Sequence, residues 1–245
     1  MEAAMSLHTL APSPPDSALP APPRLERGRQ AAPQVYEWLR SAIISLALPP
    51  GSPLSRAELA TRFGVSSTPI RDALMRLEQE GLVEVFPQYA TAVSRIDVQA
   101  ANQAHFLRRS LETEVVRTLA AAPRPGLAEQ LDRSLARMQA LLAAQDLAGF
   151  AAEDEAFHLA LFEAAGVPDL WRLARARSGD LDRLRRLHLP SPGKGEAILG
   201  DHAAIAAALR AADPAAADEA MRRHLAGTVA NVEEIRARRP DFLQP

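Results

Sequence analysis

The chain contains no cysteine, which excludes a disulfide framework, thiolate catalysis and thiolate-bound zinc at once. Any metal it holds must therefore rest on imidazole and carboxylate. Aromatic residues make up 4% of the 245 residues, so the core has to be built mainly from aliphatic side chains. A surplus of one charge sign is missing too. Lys and Arg number 28 against 30 Asp and Glu, a formal net charge of -2, so contact with nucleic acid must come from local Arg placement and not from a polycationic surface. No uninterrupted apolar run approaches the roughly 20 residues that span a bilayer, and the first residues lack a charged segment followed by an apolar one. The expectation is a cytoplasmic protein with no membrane partner. What is present is the apolar and charged balance of an ordinary soluble chain, long enough for two modest domains.

Residues 1–28, including "LAPSPPDSALPAPPRLE", are rich in Pro, Ala and Ser without a sustained period, a composition that cannot bury enough apolar area to offset its ordering entropy. A disordered tail is expected there. From Pro33 to Leu48, residues Val35, Trp38, Leu39, Ala42, Ile43 and Leu46 follow helical spacing, and "PPGSPL" stops them. Ser55 with Glu58 three residues on predicts a capping box, opening a short helix that Gly64 closes. In "VSSTPIRDALMRLEQEGL", Thr68 suits an N-cap, Pro69 the first helical position and Gly81 the stop. "LVEVF" and "TAVSRI" around "PQYA" carry the chain's convincing β pattern and predict one hairpin. From Asp97 the pattern is helical, broken at "APRPG", near Asp146, at "GVPD", at "LPSPGKG" and at "ADP". The fold class expected is mainly α: a winged helix-turn-helix over residues 29–96, an antiparallel bundle of about six helices over 97–238, and a C-terminal tail over 239–245.

Two short helices joined by a turn and followed by a hairpin are the order of a winged helix-turn-helix, whose second helix enters the major groove. In that helix Ile70, Ala73, Leu74 and Leu77 share one side, while Arg71, Met75 and Gln79 point away and Ser66, Ser67 and Thr68 form the N-terminal tip. Hydroxyls and free N–H groups at the tip suit phosphates or base edges, and Arg71 one turn in reaches a guanine edge or a phosphate. Helix capping alone accounts for "STP"; the full helix, turn, helix and hairpin order is what points to DNA.

Here "LSRAELATRFGVSSTPIRDALMRLEQEGLVEVFP" resembles the DNA-binding domain of GntR-family bacterial transcription regulators, over roughly residues 33–96. The family pattern usually has Arg between the Ser and Thr of the turn, where this chain has Ser67, and a wing Gly where this chain has Ala90. Both departures bear on operator preference. Arg56, Arg62, Gln88 and Tyr89 are candidate phosphate contacts, with solvated surface as the plainer account of Arg62.

In "EDEAFHLALFEAAG" the apolar stripe of an amphipathic helix carries Asp154 and His158. At 100° per residue Asp154 falls among Phe150, Ala151, Phe157 and Leu161, while Glu153, Glu155 and Glu163 fall outside. A buried carboxylate requires a cation or a set of donors. His202, among Ile198, Ile205, Ala206 and Leu209, and His224, among Ala217, Ala220, Met221 and Thr228, point inward in the same way. One inward His is commonly a hydrogen-bonded core residue; three of six together with an inward Asp favour a metal between facing helices of a bundle. His8, His105 and His188 lack such support.

"DEAFH", "DHAAIAAAL" and "AMRRHL" resemble the FadR-type C-terminal effector domain of the same family, the FCD domain, over about residues 100–235. The resemblance implies that Asp154, His158, His202 and His224 bind a divalent metal, and that Arg108 in "RRSLE" meets an anionic ligand. A surface pair between Arg108 and Glu112 is the alternative for that Arg.

The expected function is a homodimeric sensor on a two-fold, double-stranded operator, not an enzyme, with operator affinity set by a small organic acid at or beside zinc, nickel or manganese. Two alternatives compete with it. One is a metal-dependent hydrolase, the other a structural metal in a pure dimerisation module.

Overall fold

The computed structural model describes residues 21–86 and 90–245. Most of the Pro-rich segment, residues 1–20, and the wing-tip residues 87–89, with Gln88 and Tyr89 among them, lie outside the described residues. In the winged domain α1 (Ala31–Ile44) turns Val35, Leu39 and Ile43 inward. Leu48 is buried as well but lies beyond the helix, which ends at Ile44, just before Leu46 turns left-handed at φ 63°. α2 (Arg56–Phe63) starts at Ser55, whose Oγ accepts the Glu58 N–H at 3.2 Å, and closes on Gly64 at φ 65°. The Glu58 carboxylate turns to Arg62, at 3.4 Å.

α3 (Ser67–Gln79) starts one residue before the expected cap: Ser66 is the N-cap, and Pro69 occupies the third helical position. A proline is accommodated there because the first N–H groups of a helix have no intrahelical acceptor. Ile70, Ala73, Leu74 and Leu77 are buried. At its end the Gly81 N–H donates to the Glu78 carbonyl and the Leu82 N–H to the Leu77 carbonyl, both at 2.9 Å, with Gly81 at φ 74°. This double bond pattern is a left-handed helix stop. It delivers the chain into β1 (Val83–Phe86), which pairs antiparallel with β2 (Ala90–Val93), Val83 opposite Val93 and Phe86 opposite Ala90.

The second body is helical: α4 (Val98–Ala121), α5 (Leu127–Ala143), α6 (Leu147–Ala164), α7 (Pro168–Ala176), α8 (Gly179–His188), α9 (Lys194–Arg210), α10 (Pro214–Val229) and α11 (Val232–Arg238). These are eight helices among the described residues, against about six expected from the breaks. The turns at Arg177 and Ser178 and at Ala230 and Asn231 contain neither proline nor left-handed glycine, so they carry no sequence punctuation. Val116, Leu131, Phe157, Leu161, Ile205 and Met221, drawn from α4, α5, α6, α9 and α10, meet in the main core.

The two bodies are joined by buried polar contacts. Arg183 on α8 is fully buried, donating to the Ser94 carbonyl at 2.7 Å and to Asp180 at 2.6 Å, and Asp180 accepts the Asp97 N–H at 3.0 Å. Residues 239–245, expected as a tail, dock instead: the Ile96 N–H donates to the Phe242 carbonyl at 2.8 Å and the Gln244 N–H to the Ile96 carbonyl at 2.9 Å. Phe242 and Leu243 give the segment apolar area to bury beside Leu184 and Ile235. At the other end Leu25, inside the expected disordered segment, packs against the winged-domain core.

Two outcomes follow from these contacts. A side chain at Gly81 meets nothing within 4 Å, so Gly81→Ala isolates backbone strain and should lower stability by about 1–2 kcal/mol in urea melts. Tyr36 on α1 donates its hydroxyl to Glu80, and burial, then Glu80, push its pKa up to about 12. The unfolded phenol titrates near 10, so the stability this raised pKa contributes is complete below pH ~10 and is lost as pH rises toward 12. Alkaline thermal melts should show that loss in the wild type and a smaller one in Tyr36→Phe.

Candidate metal centre and nucleic-acid face

The outer side of α3 is as the face pattern predicts. Ser66, Ser67, Thr68, Arg71, Met75 and Gln79 are all exposed. Ser66 makes no side-chain cap bond, and the Arg71 side chain, 63% exposed, has a carboxylate only at 3.8 Å, on Asp72. Arg56 is exposed at the start of α2 and lines a groove with Phe86 and Ala90 of the hairpin. A positive helix N-terminus with exposed hydroxyls and an adjacent guanidinium is suited to a phosphate backbone.

In the bundle, α6 supplies Asp154 and His158 one turn apart, α9 supplies His202 and α10 supplies His224. All four are buried, and one ligand atom from each lies within 4.8 Å of the others. The Nε2 atoms converge: His158 to His224 is 3.1 Å, and His202 to His224 is 3.3 Å. Asp154 Oδ1 is 3.5 Å from His202 Nε2 and has no hydrogen-bond donor.

The outward nitrogens decide what this convergence means. His158 Nδ1 lies 2.6 Å from Glu112 Oε2, His202 Nδ1 lies 3.3 Å from Met138 Sδ, and His224 Nδ1 is 4.0 Å from Asp201 Oδ2. The contact with Met138 favours a proton on His202 Nδ1, which leaves its Nε2 lone pair turned toward the other imidazoles, while His158 Nδ1 and His224 Nδ1 lie near carboxylates without completing a hydrogen bond. Burial lowers the His202 pKa to about 3 and that of His224 well below its ordinary value, the latter also through the neighbouring imidazoles. Both are therefore neutral, the form that binds metal. Donor atoms about 2.0–2.1 Å from one ion stand roughly 2.9 Å apart at a right angle and roughly 3.4 Å at a tetrahedral angle. The 3.1 and 3.3 Å separations fall between those values, and the group fits a metal ion.

Arg185 on α8 donates to Asp154 Oδ2. Burial opposes ionisation of Asp154, yet Arg185 and then the imidazoles hold its pKa well below the usual carboxylate range. Arg108 and Glu112 do pair, Nε to Oε1 at 2.6 Å, but they are buried beneath the histidines and not on the surface. Arg108 foremost, against the cost of burial, lowers Glu112 to about 2. Arg108 Nη2 remains without a hydrogen-bond partner.

A cavity of about 80 Å³, measured to the centres of water-sized spheres, opens beside this group. Arg108, Arg185 and Lys194 bring cations to its wall, Asp154 and His224 belong to it, and Phe150, Leu181, Leu189 and Ile198 form an apolar side. His105 lines it as well, and Ile44 reaches it from α1. His188 is buried outside the group.

Arg185 is not legible in the sequence because "DLDRLRRLH" puts cationic side chains at 183, 185, 186 and 188, spread around the helix, so none stands out. A surface position for Glu112 was only the alternative to an anion site at Arg108. The face shared by Arg108, Glu112, Val115, Val116 and Leu119 was the available signal that this pair is buried.

A winged helix-turn-helix carried on a helical bundle with its own polar cavity defines a two-part DNA-binding regulator. The family model for the FCD domain matches residues 103–227, and that for bacterial regulatory proteins of the gntR family matches residues 31–93. The chain belongs to the GntR family and carries an FCD domain. It is 37% identical over 215 residues to an HTH-type transcriptional regulator in an unstable DNA locus of Streptomyces ambofaciens, covering 88% of this chain and 90% of that one. It is 29% identical to the HTH-type transcriptional repressor RspR of Escherichia coli, covering 85% and 92%. Among solved structures it superposes on Escherichia coli McbR/YncC with a TM-score of 0.72 at 21% identity, covering 84% and 98%, which establishes the shared fold. The chain is thus a DNA-binding transcriptional regulator. Among the described residues no helix is long and apolar enough to cross a membrane.

Proposed function

We propose that operator affinity is controlled by a small organic acid bound at or beside a divalent ion held by Asp154, His158, His202 and His224, in a homodimer on a two-fold operator. The observation that carries this reading is the convergence of three imidazole Nε2 atoms on a carboxylate oxygen that lacks a donor, at the edge of a cavity with cationic walls. Three histidines and a carboxylate suit zinc, nickel or manganese. When bound, such an ion supplies Lewis-acid character toward an anionic ligand. The chain's own residues do the rest: Glu112 orients His158, Arg108 Nη2 offers an unspent donor to a carboxylate, and the apolar side of the cavity excludes water. On the winged domain, Arg71 reads the operator, with Ser66, Ser67, Thr68 and Arg56 at phosphates; Gln88 and Tyr89 are assigned to phosphates from the sequence alone.

Elemental analysis and melting test the centre. Zinc at a hundredfold excess over its Kd should stabilise the wild type by about 2.7 kcal/mol. In His202→Ala both the metal content and that gain should fall, and the effect of a screened organic acid on operator affinity should weaken. A full metal complement and an unchanged acid response in this variant would make the inward histidines core packing. Turnover of the acid would favour the hydrolase, and metal retention with no effect of any acid on DNA would favour a structural ion.

Arg71→Ala should weaken specific operator binding by about 1–3 kcal/mol with the circular dichroism spectrum and melting temperature unchanged. Titrations at fixed salt check it, and unaltered affinity removes Arg71 from the interface.

A further inference from the structure

Between the buried cluster and the recognition helix runs a continuous chain of charged contacts. Arg185, beside Asp154, places its other terminal nitrogen 3.6 Å from Asp182 Oδ1. Arg175, at the end of α7, donates to Asp182 Oδ2 at 2.7 Å and to Glu155 on α6 at 2.7 Å. The backbone carbonyl of Arg175 accepts a 2.7 Å bond from Arg40 of the winged domain. Arg40 also donates through Nε to Glu80 Oε2 at 2.9 Å. Glu80 is the C-cap residue of α3, takes the Tyr36 hydroxyl, and lies 3.7 Å from Arg76, whose guanidinium lies over the Tyr36 ring.

The side chains of Arg40, Glu80, Arg175 and Asp182 are 18%, 13%, 15% and 4% exposed. Pairs sheltered to this degree are little screened by salt, so a change at one end is felt at the next.

We propose that Arg185, Asp182, Arg175, Arg40 and Glu80 form a relay that transmits the state of the Asp154 and histidine group to the recognition helix α3. The physical basis is competition for one carboxylate. Arg185 is shared between Asp154 and Asp182, and any cation that takes charge from Asp154 weakens the hold of Asp154 on Arg185. Arg185 then leans on Asp182, which is also the partner of Arg175, and the last turn of α7 adjusts. That turn presents the carbonyl that Arg40 grips, and Arg40 in turn fixes Glu80 at the end of α3. The relay rests on the proposed metal centre, and a bound ion acts through it only if it favours one arrangement of these pairs over the other.

Hydrogen exchange of the full-length chain, with and without zinc alone, tests the relay without DNA. In the wild type zinc should slow exchange in α6, α9 and α10, and should also change it in α3 by about fivefold, the low end of ordinary coupling between sites. In Arg40→Gln the protection of α6, α9 and α10 should remain while the change in α3 disappears. Glu80→Gln cuts the same link from its other end and should give the same contrast, which covers the case in which the first variant misfolds. If zinc protects the three ligand helices but α3 does not respond in the wild type, or responds equally in both variants, the relay is wrong and the metal centre stands. If zinc leaves α6, α9 and α10 of the wild type unprotected, the metal centre itself is wrong and the relay falls with it.

Discussion

Three imidazole Nε2 atoms converging beside a buried carboxylate form an arrangement that the interior of a helical bundle does not tolerate without compensation. Part of the compensation is visible in Arg185, which meets Asp154, and in Glu112, which faces the outward nitrogen of His158. What these contacts leave without a hydrogen-bond partner includes Asp154 Oδ1, which faces the histidines, and the outward nitrogens of His158 and His224. The packing of α6, α9 and α10 makes this convergence unavoidable, since Phe157 and Ile205 in the main core hold the same helices at the depth where His158 and His202 meet. The site and the core are one construction.

That construction has consequences for the winged domain. Ile44 from α1 lines the cavity beside the histidines, and Arg40, one turn earlier, bonds to the end of α7. On the other side Arg183 is buried between Ser94 and Asp180, and a Cβ at Gly179 would approach Leu82 to 2.7 Å. The winged domain is thus seated on the helical body by polar bonds as well as by apolar contact. Polar contacts of this kind have directional minima, so they can distinguish two arrangements where apolar contact alone would slide.

Local elements were legible in the sequence because their causes are local. Ser55 and Gly64 bracket α2, Gly81 stops α3, Asp97 caps α4, and the alternation around residues 83–93 makes the hairpin. The inward direction of Asp154, His158, His202 and His224 was equally readable, since a period of 3.6 residues assigns each side chain to a face before any partner is known. Where signals were weak the reading slipped. The start of α3 moved by two residues because Ser66, Ser67 and Thr68 are all acceptable near a cap, and the turns after α7 and α10 left no Pro or left-handed Gly to mark them.

By itself the sequence determined the two-domain order, the exposed face of α3 and the four residues that turn into the bundle, because helix caps, turns and amphipathic faces depend on neighbours within about one or two turns. Only the tertiary structure decided that these four meet within one ion's reach, that Arg185 arrives from α8, and that residues 242 and 244 dock beside Ile96. Between elements those contacts join residues 22 to 148 positions apart in the chain. No local periodicity encodes them, since they depend on how whole helices cross and on which buried charge finds a partner once they have.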